Sequence, residues 1–347
     1  MKVLYFGFYD PGYARNRVLI KGLKANDVEV LECRDSSRGF KKFLNLYKKH
    51  KIFKNQYDAV IVGFLGHIVV PLVKLISGKP VIFDAFVSLY ESNVEDRKLF
   101  SRYSLRAWYY WFLDWLSMSL ANLVLFDTDE HINYVVEEFG LKKNKVKRIF
   151  VGTDETIFYP RKKETSQVFT VHFHGSFIPL QGVDCIIKAA KLLEKENIQF
   201  NILGDGQTYS EVRKLVRTLN LKNINFINRV EYDKLPEHIK RGDICLGVFG
   251  KSSKNSRVIP NKVYEYAAMK KPIITADTPA IRELFSATDM LFIDSSPENL
   301  ASAILKLKNN QKLRESLAEN AYAVFSRFGR PETLGRELKQ IAEELIR

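Results

Sequence analysis

The chain has 347 residues, of which 46% are hydrophobic and 27% are charged, and its net charge is +14. This length suits two domains with a core each, and the composition is typical of a folded soluble protein. Its three cysteines are scattered and form no CxxC or Cys/His cluster. We therefore expect neither a disulfide framework nor a zinc site, and a reducing compartment.

The positive excess is spread over both halves of the chain. No nucleic-acid-binding module is recognisable, so we expect no nucleic acid partner. An evenly basic protein suits acidic small substrates or an anionic membrane surface. The N-terminus is typical of a first strand rather than a signal peptide. No apolar run approaches the roughly 20 residues that span a bilayer.

Apolar strands alternate with glycine-ended turns and helical stretches, which is the pattern of a parallel sheet covered by helices. Residues 2–7 form the first predicted strand, and the loop after it contains Gly12, Tyr13 and Arg15. Ligands of open α/β sheets bind at the carboxyl ends of strands, so we expect these residues at the mouth of a cleft. The alternative for Arg15 is a solvated helix position.

Residues 36–57 contain no acid, and apolar residues fall at helical spacing along one face. Such a basic amphipathic helix can lie on an anionic membrane, or it can pack on its own domain as a surface helix. Both alternatives stay open at this point. The apolar residues are Phe40, Phe43, Leu44 and Tyr47, and the positive ones are Arg38, Lys41, Lys42, Lys48, Lys49, Lys51 and Lys54.

Asp84 ends a predicted strand over residues 80–84. A carboxylate there is well placed to accept a proton from an incoming hydroxyl, although many such acids cap the next turn. Further on, Trp108, Trp111 and Trp115 lie within eight residues at helical spacing. We favour core packing over membrane contact for them, because the strand that follows needs cover.

The sequence Asp127-Thr128-Asp129 follows another strand. An Asp-x-Asp pair can hold a nucleotide-bound metal, but Thr128 or Asp129 also suits the N-cap of the next helix. We favour the cap and predict no metal site. A turn and linker at residues 152–163 then indicates a domain boundary. We expect domains at 1–160 and 161–328, with a C-terminal helix at 329–347 that crosses back to the first domain.

In the second half, two predicted strands end in glycine turns, Gly175-Ser176 and Gly204-Asp205-Gly206. Glycines at strand ends let backbone amides approach a phosphate closely. Either turn alone is weak evidence for an anion site. Together with the helix described next, they are more specific.

That helix begins at Pro260, whose missing N–H costs nothing in a first turn. The amides of Asn261, Lys262 and Val263 are then predicted to form an anion site at the positive helix end. A lysine there opposes the helix dipole, which suggests an anion that Lys262 and the amides share. Glu265, one turn later, is within reach of a sugar hydroxyl. The alternative is an ordinary capped surface helix.

These motifs give the second half of the chain a family resemblance. His174 to Asp184, Gly204 to Gly206, Arg241 to Leu246 and Pro260 to Pro272 resemble the retaining family-4 glycosyltransferases of GT-B architecture. The resemblance implies an α/β fold with two facing Rossmann-like domains, parallel sheets and an interdomain cleft. The first half is similar mainly in its order of strands.

The resemblance also implies a nucleoside-diphosphate sugar, with uridine or guanosine as the base, as donor and no cofactor. It makes Glu265 the ligand of the ribose and the helix start the ligand of the diphosphate. The other donor-side positions that it implies are Gly175, Ser176, Gly204, Asp205, Gly206, Arg229, Val230, Arg257, Pro260, Asn261, Lys262 and Val263. The acceptor side is expected to contain Gly12, Tyr13, Arg15 and Asp84.

Three positions depart from the family pattern. Arg257 stands where the family has its first glutamate, Ser176 where it has an arginine, and Gln181 where it has a lysine. Two cations that normally face the diphosphate are therefore absent. We predict that Lys262 replaces them, with Arg257 or Arg229 as helpers, in a working variant of the site.

The resulting hypothesis is metal-independent hexosyl transfer with retention, in which Lys262 stabilises the leaving diphosphate and Asp84 orients the acceptor. The phosphate oxygen itself takes the acceptor's proton. The resemblance suggests a glycan or lipid-linked acceptor in cell-surface assembly, and a cytoplasmic protein peripheral to the membrane. The alternatives are a nucleotide-sugar epimerase of the same fold and a catalytically silent protein that binds sugar nucleotides or membranes.

Overall fold

The computed structural model describes residues 1–37, 39–163 and 167–347. It divides into two compact units, Met1–Asp154 with Phe328–Arg347, and Glu155–Arg327. Each unit is built on a six-stranded sheet, so the prediction of an α/β fold with two Rossmann-like parallel sheets is confirmed. Arg38, one of the positive charges predicted in segment 36–57, lies outside the described residues.

The sheet of the first unit has the strand order β2-β1-β3-β4-β5-β6, and all its pairings are parallel. Its central strands are continuous runs of buried apolar residues, as expected for a parallel sheet covered on both faces. The strands are β1 (Lys2–Gly7), β2 (Glu29–Arg34), β3 (Ala59–Val62), β4 (Val81–Asp84), β5 (Leu123–Phe126) and β6 (Val146–Arg148).

Four helices of this unit cover one face of its sheet. Leu46, Val73, Met118 and Val135, one from each helix, belong to a single buried cluster. Right-handed crossovers require this arrangement, because the chain moves in one direction across the sheet after β2 and places α1 on the opposite face. The four helices over this cluster are α2 (Lys41–Phe53), α3 (Val70–Ile76), α4 (Leu105–Leu120) and α5 (Asp129–Phe139), and the helix on the opposite face is α1 (Ala14–Ala25).

Helix α2 packs on its domain through a face other than the one formed by its regularly spaced aromatic and leucine residues. Leu46 and His50 are its buried residues, whereas Phe40, Leu44 and Tyr47 are exposed. Phe43 is half-buried against Phe8, with ring centroids 5.1 Å apart. The spacing of the aromatic residues correctly predicted a helix, but it does not mark the side that contacts the core.

The prediction that the three tryptophans pack in the core is wrong for two of them. Trp111 packs against the buried cluster, and its ring lies 5.5 Å from that of Phe139. Trp108 is 64% exposed and Trp115 is 37% exposed. Small residues of α4, such as Ala107 and Ser117, face the sheet instead. Strand β5, which follows α4, is therefore covered without the larger rings.

The sheet of the second unit has the order β12-β11-β10-β7-β8-β9, again with parallel pairings. Its strands are β7 (Phe169–His174), β8 (Ile198–Leu203), β9 (Ile224–Ile227), β10 (Ile244–Leu246), β11 (Ile273–Ala276) and β12 (Leu291–Ile293). The helices are α6 (Val183–Leu192), α7 (Tyr209–Thr218), α8 (Leu235–Ile239), α9 (Asn261–Ala268), α10 (Pro279–Arg282), α11 (Pro297–Lys308) and α12 (Gln311–Phe328).

The C-terminal helix α13 (Pro331–Ile346) packs against α1 in the first unit. The two backbones meet at Gly22 and Gly335, where a Cβ on Gly335 would lie 2.0 Å from the carbonyl carbon of Gly22. A side chain at either position would therefore push the helices apart. Among the described helices, none is long and apolar enough to cross a membrane.

The contact between α1 and α13 gives a prediction. Gly335→Val should lower the free energy of unfolding by about 1–3 kcal/mol, because the added methyl groups collide with the backbone of Gly22. Urea unfolding measures this. Gly78→Val is the matched control, since a Cβ there meets nothing within 4 Å. An equal loss of stability in the two variants would contradict the close approach.

Candidate donor site

The two predicted glycine turns of the second unit lie against each other at the carboxyl edge of its sheet. A Cβ on Gly204 would lie 2.0 Å from the carbonyl oxygen of Gly175, and one on Gly206 would lie 2.8 Å from the amide nitrogen of Phe177. Gly204 also has a φ of +133°. The second turn therefore needs glycine at both positions, which lets its backbone pack against the first turn beside strands β7 and β8.

Helix α9 begins beside these turns, with Pro260 as its N-cap residue. The Val263 amide donates to the Pro260 carbonyl oxygen at 2.9 Å, so the prediction that this amide binds an anion is wrong. Within the described part of the chain, the amides of Asn261 and Lys262 have no backbone acceptor. At this helix end, two of the three predicted amides therefore remain candidates for binding an anion.

Lys262 is the residue that connects the helix end with the glycine turns. Its side chain is buried, and its ammonium donates to Gln181 Oε1 and to the Gly247 carbonyl oxygen, the latter at 3.3 Å. The ammonium also lies 3.7 Å from the centroid of the Phe173 ring. A Cβ on Gly175 would be 3.0 Å from it, so the charge lies directly against the first turn.

This ammonium has no carboxylate partner within ion-pair distance among the described residues. Burial lowers the pKa of Lys262 well below its usual value, and the more distant Glu265 only partly opposes this. A buried cation that is held only by neutral oxygens is unfavourable. An anion bound at the α9 end would supply the missing charge.

Glu265, one turn along α9, is buried and contacts a histidine that was not assigned a role from the sequence. His174 Nε2 lies 2.7 Å from Glu265 Oε2, and His174 Nδ1 lies 3.1 Å from His172 Nε2. The period of two in strand β7 puts His172 and His174 on one face. This alternation was the sequence signal for the pair, and it marks two of the six histidines.

Burial determines where the protons lie in the hydrogen-bonded series of His172, His174 and Glu265. Burial lowers the pKa of His172 well below its usual value, so its ring is neutral. His172 Nδ1 has no partner among the described residues, and a buried orphan N–H is costly. The hydrogen therefore lies on His172 Nε2 and is donated to His174. His174 in turn donates from Nε2 to Glu265, which fixes the orientation of that carboxylate.

The remaining predicted donor-side residues differ in their exposure. Asp205 accepts the Gly206 amide at 2.7 Å and so fixes the second turn. Ser176 and Arg229 are exposed, and Val230 is half-buried. Arg257 is half-buried after a short turn over Ser253–Ser256. In the described residues, neither Ser176 nor Arg229 contacts Lys262, so their predicted roles rest on the resemblance.

In the first unit, the structure opposes two of the predicted acceptor contacts. The Arg15 guanidinium donates to both Asp84 oxygens, at 2.8 and 3.1 Å, and to the carbonyl oxygens of Ile149 and Phe150. Arg15 and Asp84 are both fully buried. Burial raises the pKa of Asp84, and the Arg15 charge opposes that rise. The pair joins elements of the core, and neither group is exposed to an acceptor.

The other two acceptor-side residues are half-buried at the end of β1. The Gly12 amide donates to Asp10 Oδ1 at 2.8 Å. The Tyr13 ring packs 4.8 Å from that of Phe64 and 6.3 Å from that of Phe86. This cluster remains a candidate surface for an acceptor.

The predicted helix cap at Thr128 is confirmed, because its hydroxyl accepts the His131 amide at 3.1 Å. Asp127 contacts His131 Nδ1 at 2.9 Å, and Glu91 lies 3.2 Å from His131 Nε2. Asp129 pairs with Arg148. Among the described residues, no group of three or more His, Cys, Asp or Glu side chains could hold a metal ion.

Comparisons with known proteins show which proteins the chain resembles in sequence and fold. Residues 154–324 match the family model "Glycosyl transferases group 1". Over 188 residues, the chain is 26% identical to the uncharacterized glycosyltransferase MJ1178 of Methanocaldococcus jannaschii, which covers 54% of this chain and 50% of that protein. Over 152 residues, it is 28% identical to the putative colanic acid biosynthesis glycosyl transferase WcaI of Escherichia coli, which covers 41% of this chain and 37% of that protein.

The chain therefore spans about half or less of the length of these curated relatives. A solved structure, that of Anabaena Alr3699/HepE in complex with UDP-glucose, matches with a TM-score of 0.74 at 17% identity. It covers 99% of this chain and 100% of that one. At this identity, the likeness shows the fold, which is GT-B.

The buried His131 gives a prediction about pH. Burial lowers its pKa, but Glu91 and Asp127 together raise the pKa to about 9. Because the folded pKa lies above the unfolded value of about 6.5, the stabilisation is complete below pH 6.5 and is lost as the pH rises through 9. Urea unfolding should show a loss of about 3 kcal/mol over this window that His131→Gln removes.

His50→Gln is the control for this measurement. Burial lowers the pKa of His50, so its titration does not contribute to a loss of stability in that window. The decline should persist in His50→Gln. A decline of the same size in His131→Gln would show that the Glu91 and Asp127 contacts do not retain the proton.

Proposed function

We propose that this chain, whose residues 154–324 match the family model of the group-1 glycosyltransferases, is a member of that family, transfers a hexose from a nucleoside-diphosphate sugar to an acceptor hydroxyl and retains the anomeric configuration. The observation that carries the proposal is Lys262, a buried side-chain nitrogen at the start of α9 whose hydrogen-bond acceptors among the described residues are all neutral oxygens. A diphosphate bound there favours the protonated, charged form of this lysine.

Helix α9 and Lys262 provide the electrostatic stabilisation of the leaving diphosphate. Negative charge develops on the diphosphate as the glycosidic bond to it breaks. Donors that are already oriented toward that charge stabilise the transition state more than the ground state. The amides of Asn261 and Lys262 and the Lys262 ammonium are such donors. The leaving phosphate oxygen takes the acceptor's proton on the same face of the sugar.

Glu265 is proposed to bind the ribose hydroxyls of the donor. Its Oε2 accepts from His174, which leaves Oε1 to accept from a hydroxyl. His174 and His172 then act as positioning residues that keep the carboxylate in one orientation. This role supports the carry-over of Glu265 from the family pattern and adds two residues to it.

Support for a UDP-sugar donor comes from the HepE structure, which contains UDP-glucose. A guanosine base remains the second candidate. The colanic acid name of the Escherichia coli relative supports a glycan or lipid-linked acceptor in cell-surface assembly. We also propose a cytoplasmic location, where the buried free cysteines Cys33, Cys185 and Cys245 stay reduced.

The test is an assay of nucleoside diphosphate release from UDP-, GDP- and ADP-hexoses, with and without lipid extract. We expect release from a UDP-hexose that rises with acceptor. Lys262→Met should lower kcat by about a hundredfold or more, because it removes one preorganised donor to the developing charge. The anomeric configuration of the product, read by NMR, tests retention.

Lys188→Met is the matched control, because Lys188 is an exposed lysine of the same unit that pairs with Asp184 on the surface. It should keep the wild-type rate. Binding of UDP-sugars without release would favour the catalytically silent alternative, and conversion of the donor to its epimer would favour an epimerase. Full activity in Lys262→Met would contradict the proposed role of this lysine.

A further inference from the structure

Helix α4 is apolar on both sides, although only one side faces the sheet. Its buried residues include Ala107, Leu113 and Met118. The opposite side repeats at the same helical spacing with Leu105, Trp108 and Trp115. A helix that is apolar all round is normally enclosed by protein or lipid. One face of α4 therefore lacks the cover that its composition predicts.

This uncovered side is extensive. Tyr103 is 96% exposed and Leu105 is 88% exposed, and Trp108 stacks on Phe112 with ring centroids 5.4 Å apart. We call the surface formed by its exposed members the aromatic face. It consists of Tyr103, Leu105, Trp108, Tyr109 and Trp115. Contiguous apolar surface of this kind marks an interaction site.

The neighbouring helices of the same layer extend the apolar surface. In α3, Leu75 is 86% exposed; Phe40, the N-cap residue of α2, and Leu44 and Ile52 within α2 are also exposed. Helices α2, α3 and α4 all contribute to the one buried cluster beneath them, so their outer sides point away from the same face of the sheet. The exposed apolar residues therefore belong to one side of the first unit.

The charges around this surface are positive. Residues 39–57 contain six lysines and no acid, and residues 97–113 contain Arg97, Lys98, Arg102 and Arg106 and no acid. The one acid of α4, Asp114, is buried and accepts from Ser88 and the Tyr90 amide. Lysine is depleted in interfaces between proteins, whereas it is enriched beside apolar surfaces that bind anionic lipid.

We propose that the outer side of α2 to α4 docks on an anionic lipid bilayer, with the aromatic face in the interfacial layer and the lysines of α2 against the headgroups. Tryptophan and tyrosine suit this layer, because their rings are apolar and each has a polar group. The site differs from the membrane segment 36–57 expected from the sequence, because its centre is α4. The inference does not depend on sugar transfer.

The test is sedimentation of the full chain with vesicles of phosphatidylcholine alone, or mixed in equal parts with phosphatidylglycerol. We expect binding to the mixed vesicles that weakens with added salt. Leu105→Ser with Trp108→Ser should lower the partition coefficient about tenfold or more. Lys41→Gln with Lys48→Gln and Lys51→Gln should lower it on the order of a hundredfold.

Matched controls lie in the second unit. Leu192→Ser replaces an exposed apolar residue, and Lys195→Gln with Lys214→Gln and Lys222→Gln removes the same charge. Both should bind vesicles like the wild type. Equal losses in the controls, or no vesicle binding at all, would overturn the proposal. A dimer in solution that Leu105→Ser with Trp108→Ser converts to a monomer would assign the face to a second copy instead.

Discussion

The side-chain nitrogen of Lys262 is buried at the carboxyl edge of the second sheet, and no carboxylate among the described residues is bonded to it. Its neighbours are the side-chain oxygen of Gln181, the carbonyl oxygen of Gly247 and the ring of Phe173. The rest of the proposed site is arranged around this nitrogen. The Gly175 turn lies against the Lys262 side chain, and the Gly204 turn packs on the Gly175 turn. Helix α9 starts at Asn261, one residue before Lys262.

The two units differ in how completely their buried ionisable side chains are paired. In the first unit, Arg15 has Asp84, and His131 has both Asp127 and Glu91. These charges are satisfied within the protein, so they stabilise the fold and leave little for a ligand. In the second unit, among the described residues, Glu265 is oriented by His174 through one oxygen, and Lys262 is held by neutral groups alone. This incomplete pairing distinguishes the proposed donor site from the paired charges of the first unit.

Much of this could be predicted from local sequence. The strands are continuous apolar runs with glycine at their ends, and Pro260 marks the start of α9. Both signals depend on residues that are neighbours in the chain, so they can be recognised in the sequence. The proximity of Lys262 to the glycine turns followed from the rule that loops of a parallel sheet meet at its carboxyl edge. The family resemblance added the identity of the anion.

The rest depends on contacts between distant residues. Asp84 and Arg15 are 69 positions apart, and no local pattern shows that they neutralise each other. Trp108 has the spacing of a core residue, but its neighbour Ala107 takes that place. Val263 was assigned a free amide because a proline precedes the helix, whereas the backbone turns so that the Pro260 carbonyl accepts it.

The most direct test of the central claim is calorimetric titration of the chain with UDP at pH 8 in buffers of different ionisation enthalpy. Burial lowers the pKa of Lys262, and a bound diphosphate should raise that pKa again, so UDP binding should be accompanied by a net uptake of protons. Lys262→Met should show no uptake. UDP binding of equal strength and equal proton balance in the wild type and in Lys262→Met would contradict the account.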